Sequence, residues 1–129
     1  MKLAVNIVIA ATNQSIAEAL TLAEASGIDR TAAYETLACS AVSSPFIDYK
    51  RESFLRPGTA PVSFTTALMR KDLELAIEVA RDVGLPVTAA AKWFLDVACT
   101  AGFSDADFAS VAQVLRERAP GPGGVAPAS

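Results

Sequence analysis

Histidine is absent from the 129 residues. That removes the Ser-His-Asp and Cys-His nucleophile systems together with the commonest zinc ligand, so no metal site is expected and proton transfer falls to lysine or a carboxylate. Aromatic side chains are scarce at 7%, and there are only seven glycines, whereas the 52% of apolar residues are largely Ala, Leu and Val. That balance favours packed helices over sheet or disorder. Eleven basic and fourteen acidic side chains give a net charge of -3, with no block of either sign. Binding to nucleic acid or to an acidic membrane surface is therefore not expected. Cys39 and Cys99 lie far apart with no motif around them. They read as two buried thiols in a reducing cytosol, with a disulfide as the alternative.

The length fits one domain with one core. Met1 to Ala11 is a lysine followed by an apolar run, superficially like a signal peptide, but Asn6 interrupts the run and the helical pattern continues through Glu24. A core helix is the preferred reading, without a transmembrane span. Residues 2 to 26 form one long helix, roughly 37 Å at 1.5 Å per residue. Gly27 is placed to end it. Its first eleven residues are apolar nearly all round, so it should be central.

Four further helices are expected. Asp29 caps the second, over about 30 to 41, and a long loop then runs through Pro45, Pro57, Gly58 and Pro61. Ser63 caps the third, from about Phe64 to Val83, closed by Gly84. Pro86 opens the fourth, which reaches about Ala101. Gly102 ends it, and Ser104 with Asp107 resembles a capping box for a fifth helix running to about Arg118. Residues 119 to 129, rich in Pro, Gly and Ala, read as a flexible tail to a 1–118 domain.

Few residues could carry chemistry. Lys2 and Asn6 are four apart, so they share one helix face about 6 Å apart along the axis. Asn13 falls on the same stripe. Taken alone, the pair is most simply a solvated charge at the chain start and a satisfied amide. On the third helix Lys71 lies at the border of the apolar arc, free to pair with Glu74. Asp72 points into the arc, among Leu68, Val79 and Val83, where a carboxylate needs donors, by preference from a helix start or loop backbone.

The run Lys2-Leu3-Ala4-Val5-Asn6, then Ala17-Glu18-Ala19 and Gly27-Ile28-Asp29, resembles the start of the C-terminal domain of the β-hydroxyacid dehydrogenases, the 3-hydroxyisobutyrate dehydrogenase family. The resemblance continues through Phe64 with Lys71-Asp72-Leu73-Glu74-Leu75-Ala76, and through Ala101-Gly102-Phe103-Ser104-Asp105-Ala106-Asp107-Phe108. It covers about residues 1 to 118 in order. It implies an all-α, five-helix domain built around the long first helix, like the C-terminal domain of 6-phosphogluconate dehydrogenase-like proteins. It further implies that Lys2 is the catalytic group, that Asn6 holds the substrate and that Lys71 contacts an NAD or NADP cofactor. A small hydroxy acid or semialdehyde would be the substrate, and a homo-oligomer the assembly.

The residue types suit that chemistry. As hydride reaches a carbonyl carbon, negative charge gathers on the oxygen, and an ammonium within bonding reach stabilises it and supplies the proton. The family's Rossmann domain, with its G-x-G-x-x-G loop, has no counterpart in these residues. The expectation is a substrate-binding and oligomerisation domain that is inactive alone. The alternative is a non-catalytic helical interaction module derived from such an enzyme.

Overall fold

The computed structural model describes residues 1–118. Six α-helices follow one another: α1 (Lys2–Ala25), α2 (Arg30–Ala38), α3 (Pro45–Leu55), α4 (Thr66–Val79), α5 (Pro86–Ala98) and α6 (Val111–Arg118). A π-helical turn (Cys99–Phe103) and a 3-10 turn (Phe108–Ser110) join α5 to α6. The described residues contain no strand, only one isolated bridge between Thr65 and Asp107. The class is all-α, with one helix more than expected. The proposed tail lies outside the described residues.

α1 runs uninterrupted until Gly27, whose φ of 81° lets Ile28 N–H reach back to the Ala23 carbonyl. That left-handed turn costs a glycine little and any other residue more. α2, α4, α5 and α6 all pack on α1. The buried stripe runs through Ala10, Asn13, Ile16, Ala17 and Leu20. Of residues 2 to 11 only Ala10 is buried, and Val8 is 64% exposed. The expectation of an enclosed N-terminal half is thereby corrected: the other helices cover one side of it only. α1 is long and apolar enough to cross a membrane by length and composition, yet its central stripe packs into this domain.

The segment expected as a loop contains α3. Pro45 stands at its first turn, where the missing N–H breaks no helical bond, and the Ser44 side chain accepts from Ile47 N–H at 3.3 Å. Ile47, Lys50 and Phe54 then recur at helical spacing and are buried. α3 lies against α2, where the Tyr34 hydroxyl donates to the Ile47 carbonyl at 2.7 Å. Burial pushes that phenol's pKa well up, so the hydroxyl remains a donor.

Other boundaries shift by a few residues. Thr65, not Ser63, caps α4. Asp107 caps the 3-10 turn through Ala109 N–H, while the Ser104 hydroxyl turns to the Cys99 carbonyl, so the two do not form a capping box. Gly102 has φ 98° inside the π-helical turn. Both thiols are free, and Cys39, at the end of α2, is exposed rather than buried.

Candidate active site

The Asn6 amide nitrogen donates to Asp72 Oδ2 at 2.6 Å, and the Lys2 ammonium stands 3.9 Å from the same oxygen. α4 buries Thr66, Met69, Leu73 and Ala76, and packs on α1. Asp72, beside Leu73, is thereby carried to the edge of that seam, opposite the first turns of α1. The Asp72 side chain is only 16% exposed, whereas that of Lys2 is 76% exposed. A mostly covered carboxylate thus fixes an amide and faces a solvated ammonium.

This corrects the reading of Asp72 in two respects. Its donors are side chains, not backbone. The arc expected to surround it faces out, since Leu68, Val79 and Val83 are 49%, 74% and 84% exposed. α4 ends at Val79, so Val83 does not belong to its face at all.

Lys71 is exposed and forms no hydrogen bond or ion pair among the described residues. Glu74, its expected partner, lies 3.8 Å from Lys92 instead. Lys71 neighbours Asp72 in sequence but takes no part in the contacts of Lys2 and Asn6. Asn13 shares their stripe yet is buried: its nitrogen donates to the Phe108 carbonyl at 3.1 Å, and its Oδ1 finds no partner among the described residues.

Lys50 lies in the segment that the sequence suggests is a loop, and so is not among the expected site residues. Its ammonium is wholly buried, 2.5 Å from Asp107 Oδ1, 2.8 Å from Ser63 Oγ and 4.0 Å from the Phe108 ring centre. Burial pulls the Lys50 pKa down, and the bond and charge of Asp107 counter this only in part. Burial alone would raise Asp107. The Lys50 hydrogen bond, then Ala109 N–H, the Lys50 charge and Ser63 N–H, outweigh it and hold the carboxyl below its ordinary value. The spacing of Ile47, Lys50 and Phe54 would have shown the lysine on an apolar face, had α3 been read as helical.

An open groove of about 690 Å³ runs beside α1, lined among others by Ile7, Val8, Ile16, Leu37, Ile47 and Val87. Among the described residues no group of three or more His, Cys, Asp or Glu side chains is arranged to hold a metal ion.

The pattern from Lys2 to the last helix matches a known family. The model for "NAD-binding of NADP-dependent 3-hydroxyisobutyrate dehydrogenase" matches residues 1–115. The chain belongs to this β-hydroxyacid dehydrogenase family. Within the family it is 31% identical over 118 residues to the chloroplastic glyoxylate/succinic semialdehyde reductase 2 of Arabidopsis thaliana, covering 90% of this chain and 33% of that protein. The fold is that of 3-hydroxyisobutyrate dehydrogenase structures. The Salmonella typhimurium enzyme superposes with a TM-score of 0.78 at 22% identity, over 88% of this chain and 40% of the other. The Mycobacterium tuberculosis enzyme, solved with L-serine, gives 0.75 at 27% identity, over 89% and 42%. The chain therefore spans about a third to two-fifths of the length of the relatives it matches.

Proposed function

We propose that this chain is the substrate-binding part of an NAD(P)-dependent β-hydroxyacid dehydrogenase, with Lys2 as the catalytic group, Asn6 as a substrate ligand and Lys71 as a cofactor contact. One observation carries the reading: Lys2 and Asn6 meet at Asp72, across 66 residues of chain, at a partly open seam.

The residues fit one edge of a nicotinamide cofactor and not the whole. Lys71 is an exposed cation without an ionic partner among the described residues, as a contact for an anionic group would be. A glycine-rich pyrophosphate loop between strand and helix has no counterpart among them. When bound, the nicotinamide would supply hydride to a carbonyl carbon, or accept it from the corresponding alcohol carbon. Lys2 then holds an ammonium toward the oxygen where charge develops, and its proton passes to that oxygen. Solvent contact lets the lysine recover its proton. Asn6, held by Asp72, orients the substrate beside it.

The chain alone is expected to be inactive. Its exposed α1 face and the apolar groove support self-association as well, so a homo-oligomer is part of the proposal. The test combines this chain with the portion of the Arabidopsis reductase that it does not match, fused ahead of it. Oxidation of NADPH by succinic semialdehyde is expected from the fusion and not from the chain alone. Lys2→Ala should then cut the rate by about 10²- to 10⁴-fold. Turnover by the isolated chain, or a fusion indifferent to Lys2, would overturn the proposal. Indifference to Lys2 with association intact would leave the interaction-module reading in place.

A further inference from the structure

Trp93 is the only tryptophan of the chain, and its side chain stands half out of the surface of α5, 51% exposed. Its place is fixed on two sides. Phe94, packed against the core, meets it edge to face at 4.8 Å between ring centres, and the Arg118 guanidinium lies 5.8 Å from its ring. Pro86, Ala89 and Ala90 share its face of the helix and are exposed, so small side chains leave the indole standing clear. The charges that flank it along the helix, Lys92 and Asp96, pair with each other at 2.8 Å. We infer that Trp93 receives the chain's own C-terminal segment, residues 119–129, whose prolines stack on the indole.

Position favours this occupant. Residue 119 follows directly on Arg118, so Pro120 and Pro122 come two and four residues after the side chain already at the ring. At about 3.1 Å per residue in a proline helix, that is roughly 6 to 12 Å of chain, enough to reach the same indole. Composition favours it too. The segment has prolines at 120, 122 and 127 and no charged side chain, so it brings nothing to disturb the Lys92 and Asp96 pair. A proline ring offers C–H groups to the electron-rich face of an indole and has little conformational freedom to lose. Tethering sets the effective concentration in the millimolar range, so even a contact of millimolar affinity is about half occupied. A second copy of the chain is a poorer occupant. The open half of one large aromatic side chain is about 100 Å², against about 800 Å² per partner in a stable dimer. The inference does not depend on the assignment of Lys2 and Asn6.

The test follows the fluorescence of Trp93, which no other tryptophan obscures, and its quenching by acrylamide in the full chain and in a chain ending at Arg118. The shortened chain should be quenched about 1.5- to 2-fold more steeply, as expected when a half-occupied tethered contact is removed. Its emission should also move to longer wavelength. Pro120→Ala combined with Pro122→Ala keeps the full length and should give most of the same increase; it serves alone if the shortened chain does not fold. Equal quenching of the three chains would overturn the inference. An increase on shortening that the proline variant does not share would overturn the stacking. Protection that survives shortening and grows with protein concentration would assign the indole to a second copy, and would overturn the inference as well.

Discussion

Lys50 and Asp107 are 57 residues apart in the chain and 2.5 Å apart in the fold, and the contact ties α3 to the segment that precedes α6. Asp107 also accepts from Ser63 N–H and Oγ, and from Ala109 N–H. Around it, Phe108 N–H donates to the Phe64 carbonyl and Thr66 N–H to the Ala106 carbonyl. The pair thus anchors the entry to α4, the helix that presents Asp72 to Lys2 and Asn6. A buried ion pair contributes little net stability over an apolar replacement, but breaking one is costly because a charge is left unpaired.

The two partners should therefore respond unequally to mutation. Asp107→Ala strands a buried ammonium with only Ser63 Oγ, and should cost about 3–5 kcal/mol. Lys50→Met keeps much of the side-chain volume and leaves Asp107 its Ser63 and Ala109 donors, so about 1–2 kcal/mol is expected. The double variant should be less destabilised than the sum of the two, measured by urea unfolding. Additive losses would mean that the pair is not coupled.

Acid should weaken the same anchor. The Asp107 pKa is lowered in the folded chain, so the folded state binds fewer protons there than the unfolded one. Its stabilisation is fully present above the unfolded value of about 3.9. It is lost as pH falls through the folded value below that. The stability gap between the unaltered chain and Asp107→Asn should be constant from neutral pH to mildly acidic pH and shrink only beneath about pH 4. Thermal unfolding across that range measures it. A gap that instead grows with acid contradicts the assignment.

Much of the fold was legible where one residue type has one local use. Gly27 in the left-handed region, Asp29 as a cap and Pro86 in the first turn of α5 stand where the sequence indicates. α3 was lost because Pro45 has two uses, breaking a helix or opening one, and the choice rests on Ser44 before it and on Ile47, Lys50 and Phe54 after it. The spacing of Lys2 and Asn6 was visible from helix periodicity. Their meeting with Asp72 was not, because it depends on how α4 lies against α1, a packing relation that no local pattern contains. The same packing decides that Met69, Leu73 and Ala76, not Leu68 and Val79, form the inner face of α4.

Gly102 carries a backbone that side chains avoid, with φ 98° and ψ 11°, and a Cβ there would meet nothing within 4 Å among the described residues. The cost of Gly102→Ala is therefore conformational and not steric, about 1–2 kcal/mol. Calorimetry should show a lowered Tm with the fold retained. No change would mean that the turn relaxes to a different path.

Lys2→Ala should separate function from stability. The side chain is 76% exposed and its carboxylate partner is 3.9 Å away, so its removal should change stability by less than about 0.5 kcal/mol. Asp72 keeps its bond from Asn6. A substantial loss of Tm in this variant would assign Lys2 a structural role and count against the proposed catalytic one.

The proposed self-association makes its own demand on α1. Val8 is 64% exposed and lines the groove beside Ile7 and Ile16, so a second copy seated there would bury it. Placing a carboxylate at that position costs nothing in the monomer, where water reaches it, but opposes burial in an interface. Val8→Asp should therefore leave the Tm of dilute chain unchanged while shifting a larger species to monomer in sedimentation velocity. The same substitution on a chain that sediments as a monomer at every concentration would have no effect, and that result would remove α1 from the interface.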